Sequence, residues 1–198
     1  MIHDISDRLT RLVINNGWVS NDDFEWCSYA LEKRISQILF LTVVMIWAAV
    51  RHLTIEALVF VIVFHSFRRR MGGWHAKHAW VCQLTSLALV ILSVGYIGTF
   101  FLTINPNIII VSDLLLLCYA SFLKPEYPIQ VHFTERETIG NIKKKNLLLL
   151  LILFLQCVTW IFLSVDIAVY SFVGLAVAVL SVIVPKIKLE RGVQNETN

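Results

Sequence analysis

Charged residues are scarce in this 198-residue chain, at 16% against about 25% in ordinary soluble domains. Proline (4) and glycine (8) are sparse as well, which leaves little material for Pro/Gly-rich linkers. No internal repeat or low-complexity segment is present. The cysteines, Cys27, Cys82, Cys118 and Cys157, are scattered without a C-x-x-C pair, against a disulfide framework or a zinc knuckle. A net charge of +3, dispersed along the chain, is too small to argue for nucleic acid. With so little charge, 57% hydrophobic content and a mean hydropathy of +0.71 exclude a disordered tail, a coiled coil and most soluble enzymes. The apolar residues gather in long runs, the mark of an integral membrane protein. The first eleven residues carry His3, Asp4, Asp7, Arg8 and Arg11 and no continuous apolar core, so no cleavable signal peptide is expected.

The expected fold class is all-α: one polytopic membrane domain over 1–198. Residues 1–35 form an amphipathic N-terminal region, 36–185 the transmembrane helices and 186–198 a cytoplasmic tail. Ile2, Ile5, Leu9, Leu12 and Val13 recur at helical spacing with charges between them, which predicts a short helix on the membrane surface, broken at Asn15-Asn16-Gly17. Asp22 and Glu25 form a capping-box pattern, so a new helix starts near Asp23. Six apolar runs follow, at about 36–50, 53–67, 79–103, 108–123, 147–165 and 167–184. A perpendicular crossing needs about 20 residues. The first two runs fall short and are split only by Arg51-His52, so they must borrow flanking residues such as 29–34 or thin the bilayer. Turns at Asn105-Pro106-Asn107 and around 164–166 divide the later pairs.

With six crossings, every Lys and Arg except Arg51 falls on one side. The positive-inside rule makes that side the cytoplasm, with both termini in it. The outer turns are short, which leaves little for a receptor or adhesin. Cys27, Cys118 and Cys157 read as buried small hydrophobes.

The first large cytoplasmic loop, within 68–82, runs Arg68-Arg69-Arg70-Met71-Gly72-Gly73-Trp74-His75-Ala76-Lys77-His78-Ala79-Trp80-Val81-Cys82. Cys82 stands about 7.5 Å past Lys77 at helical rise, shallow enough to meet water and substrate. Cysteine with histidine suits nucleophilic acyl transfer: the imidazole takes the thiol proton and the thiolate attacks a carbonyl. Positive charge from Arg68–Arg70 and Lys77 favours the thiolate. His78 and Cys82 are i, i+4 neighbours on one helical turn, which slightly favours His78 as base. His75 is i, i+7, about 10 Å away along a straight helix. It serves only if the chain bends first, and Gly72-Gly73 makes such a bend cheap. A metal reading of His75, His78 and Cys82 lacks a fourth ligand. Neither metal nor cofactor is expected.

The stretch Gly73-x-His75-Ala76-x5-Cys82, preceded by the arginines, resembles the signature of the AgrB family (accessory gene regulator protein B). These are membrane cysteine endopeptidases that process quorum-sensing propeptides in Gram-positive bacteria. The resemblance covers the whole chain loosely and 68–82 specifically. It implies Cys82 as nucleophile and His75 as the catalytic histidine, in preference to His78, with Arg68 and Gly73 as motif positions. Lys143-Lys144-Lys145 resembles a basic segment of the family's second cytoplasmic loop, while Lys124-Pro125-Glu126-Tyr127-Pro128 is shorter than the family's proline-flanked loop. The implied substrate is a short propeptide with an amphipathic N-terminus and an acidic C-terminal tail, cleaved through a thioester and cyclised to a thiolactone or lactone. Arg69, Arg70, Lys77, Lys143, Lys144 and Lys145 are candidates to meet that tail; a homodimer is the family expectation.

Plainer readings stand beside these. The basic runs serve as topology determinants, and Trp74 and Trp80 as interfacial anchors. Glu56 and Asp113 are ionisable groups within membrane runs, yet both fall toward the outer side, away from Cys82. Gln83 or Glu126 lies on the correct side to orient the site. The competing function is a non-enzymatic peptide exporter or membrane scaffold, which an unreactive Cys82 would favour.

Overall fold

The computed structural model describes the backbone at residues 2–72, 79–125, 134–162 and 164–196; the side chains of residues 2, 21, 79, 80, 82, 135, 162 and 185–196 fall outside that description. The helices, in chain order, are α1 (Ile2–Asn15), a 3-10 turn (Asn21–Asp23), α2 (Phe24–Val50), α3 (Thr54–Met71), α4 (Ala79–Leu92), a π turn (Ser93–Ile97), α5 (Gly98–Phe101), α6 (Pro106–Phe122), α7 (Glu135–Phe162) and α8 (Val165–Glu196). No strand occurs among the described residues.

Each apolar run lies mostly in one helical segment, but the runs are not equal. Four helical segments among the described residues are long and apolar enough to cross a membrane: Phe24–Val50, Gln83–Phe101, Arg136–Ile161 and Val165–Val184. Four of the about six expected crossings are therefore met by length and composition among the described residues. The first short run was completed by borrowing residues back to Phe24, as its length required. The second was not: the 18 residues of α3 include Glu56 and Arg68–Arg70. The 17 residues of α6 rise about 25 Å, short of the hydrocarbon core. Asn105-Pro106 fixes the start of α6: the Asn105 side chain accepts from the Asn107 N–H at 3.0 Å. Its far end is set by an extended backbone at Leu123 (φ −62°, ψ 131°).

The chain divides into two compact units, Met1–Trp47 and Ala48–Asn198. In the first, Gly17 ends the turn after α1 with φ +75°, a conformation that suits glycine. α1 docks on the start of α2 by its polar edge rather than by its apolar stripe. Ser6 and Thr10 are buried; Ser28 Oγ donates to Asp7 at 2.5 Å, and His3 meets Glu32 at 3.3 Å. Ile5, Leu9 and Leu12 stay exposed. Helix α2 starts at Phe24, one residue after the position predicted from the capping pattern.

In the second unit α8 is central. Ala168, Val169, Tyr170, Val173, Leu175, Ala178, Val179 and Val182 are all buried. Helix α3 lays one face, Ala57, Phe60, Val63, Phe64, Phe67 and Met71, toward the core. Gly174 lets the backbones of α3 and α8 approach: a Cβ there would stand 3.0 Å from the Phe60 carbonyl oxygen. Cys27 is buried as expected, whereas Cys118 and Cys157 are exposed and so are not core residues. The expected tail from 186 continues α8 as helix to Glu196.

Candidate functional site

Side-chain pairs fix the polarity of the helices in the second unit. Gly98 lies against the Tyr170 ring, Phe101 packs edge-on against Phe172 at 5.4 Å, and Glu56 is within electrostatic reach of Tyr170. The start of α3, the start of α8 and the end of α5 therefore share one end. Gln156 Nε2 donates to Asp113 Oδ1 (3.2 Å) and to Ser171 Oγ (3.3 Å), tying α6, α7 and α8 together. Lys145 of α7 reaches the Ser121 carbonyl in the last turn of α6 and the carbonyl of its capping residue Leu123. Helices α6 and α7 thus run antiparallel, with α6 parallel to α8. The opposite end gathers the C-terminus of α3 with Arg68–Arg70, the first turn of α4, the C-terminus of α6 and the part of α7 that carries Lys143–Lys145. Cys82 is the fourth residue of α4, sixteen positions before Gly98, or about 24 Å along the axis.

Local sequence explains how this end is built. Helix α3 stops at Met71 because Gly72 takes φ +75° and donates its N–H to the Arg68 carbonyl at 2.8 Å. Helix α3 thus ends at the first of the paired glycines; Gly73 lies outside the described residues. Arg70 Nη1 donates to the Ser66 carbonyl at 2.7 Å, and Arg68 lies over the Phe64 ring at 5.7 Å; Arg69 is exposed. Helix α4 is described from Ala79. Gly73, Trp74, His75, Lys77 and His78 lie outside the described residues, as does Glu126. Cys82 is described by its backbone alone, as a residue of α4. Gln83, the next residue, is half-buried.

The second basic run separates by side. Lys143 and Lys144 are exposed, while Lys145 is fully buried; its Nζ donates to the Ser121 carbonyl at 2.6 Å and the Leu123 carbonyl at 2.9 Å. Helix α7 is opened by a capping box that the sequence spells as Thr134-x-x-Glu137: Glu137 accepts from Thr134 N–H at 2.9 Å and from its hydroxyl at 2.8 Å. That signal was legible and unused. So was Gln156, a lone amide in an apolar run, buried beside Asp113. Asp113, one of two ionisable groups an export path would use, is closed in between helices. Glu56 sits in the first turn of α3, at the end away from Cys82. Among the described residues no group of His, Cys, Asp and Glu is arranged to hold a metal ion.

Comparison with known proteins gives the family of the chain. The model of the family AgrB, accessory gene regulator B, matches residues 6–184. AgrB-like protein 2 of Clostridium perfringens is 23% identical over 149 residues, which cover 74% of this chain and 68% of the relative. No solved structure matches. A match from Ser6 to Val184 takes in the arginine run, the Gly-His-Cys stretch, the lysine run and every helix, and the chain belongs to the AgrB family, whose work is the processing of autoinducing peptides for quorum sensing.

Proposed function

We propose that the protein is a membrane cysteine endopeptidase that removes the C-terminal part of an autoinducing-peptide precursor and promotes its cyclisation. His75 takes the Cys82 thiol proton, and the thiolate attacks the scissile carbonyl. The C–N bond breaks, the amine of the C-terminal fragment leaves with the proton from His75, and a thioester to Cys82 remains. A Cys or Ser side chain within the peptide then gives its proton to His75 and attacks the thioester, closing a thiolactone or lactone and releasing the Cys82 thiolate. A thioester keeps much of the peptide bond's activation, and the membrane edge restrains the water that would hydrolyse it. In this reading α2 to α8 provide six crossings, the short α3 and α6 inserting beside α7 and α8, with both termini cytoplasmic. Arg69, Arg70, Lys77, Lys143 and Lys144 draw in the acidic tail of the precursor.

The observation that supports this reading best is the gathering of both basic runs and the Cys82 turn at one end of a helical unit from a chain of the AgrB family. Reconstituted protein and a synthetic precursor test it. Cys82→Ala and His75→Ala each abolish processing with insertion unchanged, whereas His78→Ala retains substantial turnover. Loss of turnover in His78→Ala with normal turnover in His75→Ala reverses the assignment of the base. A soluble thiol-directed electrophile labels Cys82 far faster than Cys27, Cys118 or Cys157; an inert Cys82 supports the exporter or scaffold instead.

A further inference from the structure

Lysine 145 stands third in a run of three lysines, and by sequence it is equivalent to its neighbours. Its position is not. Successive residues on a helix turn by about 100°, so three in a row cannot share a face. Lys143 and Lys144 are exposed; the Lys145 side chain has no exposed surface. A buried ammonium is costly unless its hydrogens find acceptors. Here they find the Ser121 and Leu123 carbonyl oxygens, at 2.6 and 2.9 Å.

Those two oxygens are not arbitrary partners. The last four carbonyls of a helix have no partner within it, and the C-terminus carries a partial negative charge. Many helices solve this with a glycine turn that folds back on the last carbonyls. Helix α6 has no such turn: its capping residue is Leu123, in extended conformation, and Lys124-Pro125 follows. Ser121 Oγ donates to the Cys118 carbonyl at 2.7 Å. A cation from the next helix then satisfies Ser121 and Leu123, with charge of the sign the helix end favours.

We infer that Lys145 is a positioning residue: it fastens the end of α6 to α7, on a face of α7 apart from Lys143 and Lys144, and so holds together the end of the unit that carries both basic runs. The inference rests on the proposed peptidase reading for its link to catalysis, but the fastening itself does not. Lys145 touches no substrate. Its neighbours bind through screened charge, whereas Lys145 acts through where it holds the chain.

Two measurements test this. The first is amine acylation of the wild-type protein in proteoliposomes, followed residue by residue by mass spectrometry. Lys143 and Lys144 react readily, and Lys145 is protected by about tenfold or more, as expected of an ammonium held by two carbonyls. Equal reaction at Lys145 overturns the inference, whether or not the protein processes peptide. The second is steady-state cleavage of a synthetic precursor at several salt concentrations. Lys145→Met lowers kcat by about tenfold or more, consistent with loss of two charge-assisted bonds, and leaves KM and its salt dependence close to wild type. Lys145→Arg restores part of kcat. The double variant Lys143→Gln/Lys144→Gln instead raises KM and flattens its salt dependence. A Lys145→Met protein with wild-type kcat, or one whose KM rises and loses its salt dependence, contradicts the inference. If Lys145→Met fails to fold, the acylation result decides. If the wild type cleaves no precursor, the peptidase reading fails while the acylation result still judges the fastening.

Discussion

The two basic triplets, Arg68–Arg70 and Lys143–Lys145, look alike in sequence and share one end of the same helical unit, yet their helices are held in different ways. Helix α3 is held by backbone proximity: Gly174 of α8 admits the Phe60 carbonyl, and the arginines beyond lie back along their own helix, Arg70 on Ser66 and Arg68 over Phe64. Helix α7 has no such notch at its basic end. It is tied to α6 by a lysine taken from the triplet itself. The difference follows from the side chains. A guanidinium is a wide fork that finds a carbonyl one turn back and still faces water. An ammonium is a compact charge, and buried, it needs acceptors placed around it. A run of like charges is therefore not one unit of function; its members divide according to the surface each one meets.

Stability measurements in mixed detergent can break or sharpen this contrast. Lys145→Met has the largest expected effect, a loss of about 3 kcal/mol, because it removes two charge-assisted bonds and leaves two carbonyls unpaired. Gly174→Leu comes next, at about 2 kcal/mol from forced separation of α3 and α8. Arg70→Gln costs about 1 kcal/mol for the bond its guanidinium makes to the Ser66 carbonyl. Lys143→Gln with Lys144→Gln changes stability by less than about 0.5 kcal/mol, as exposed residues do. If Arg70→Gln proves as damaging as Lys145→Met, the two triplets are equivalent and the contrast fails. If Gly174→Leu is harmless, α3 does not depend on close approach.

Much of this fold was legible in the residues. The Asn105-Pro106-Asn107 break, the extension of α2 back to Phe24 and the end of α3 at Gly72 each follow from local chemistry: a capping amide, a span that needs length, a residue free to take positive φ. The lengths of α3 and α6 were less legible. Hydropathy registers apolar content, whereas charged ends and a proline start decide how much of it is usable. The fate of Lys145 was not legible at all, since its partners lie 22 and 24 residues away. The same holds for Gln156 and Asp113, 43 residues apart, and for α1, whose apolar stripe stays uncovered because Ser6 and Asp7 find Ser28. The stretch at 73–82 was readable as a motif, Gly73, His75 and Cys82, by its resemblance to the family. Sequence spacing by itself slightly favoured His78 as the base, and both histidines lie outside the described residues.

The most direct test of the central claim is intact-mass analysis of the reconstituted protein during turnover of a synthetic precursor, with rapid acid quenching. The account predicts a transient adduct equal to the precursor minus its C-terminal fragment, mapped to Cys82, removed by hydroxylamine and absent from Cys82→Ala, which forms no product. Cyclic product accumulating from Cys82→Ala at the wild-type rate, or an adduct carried by another residue, would contradict it.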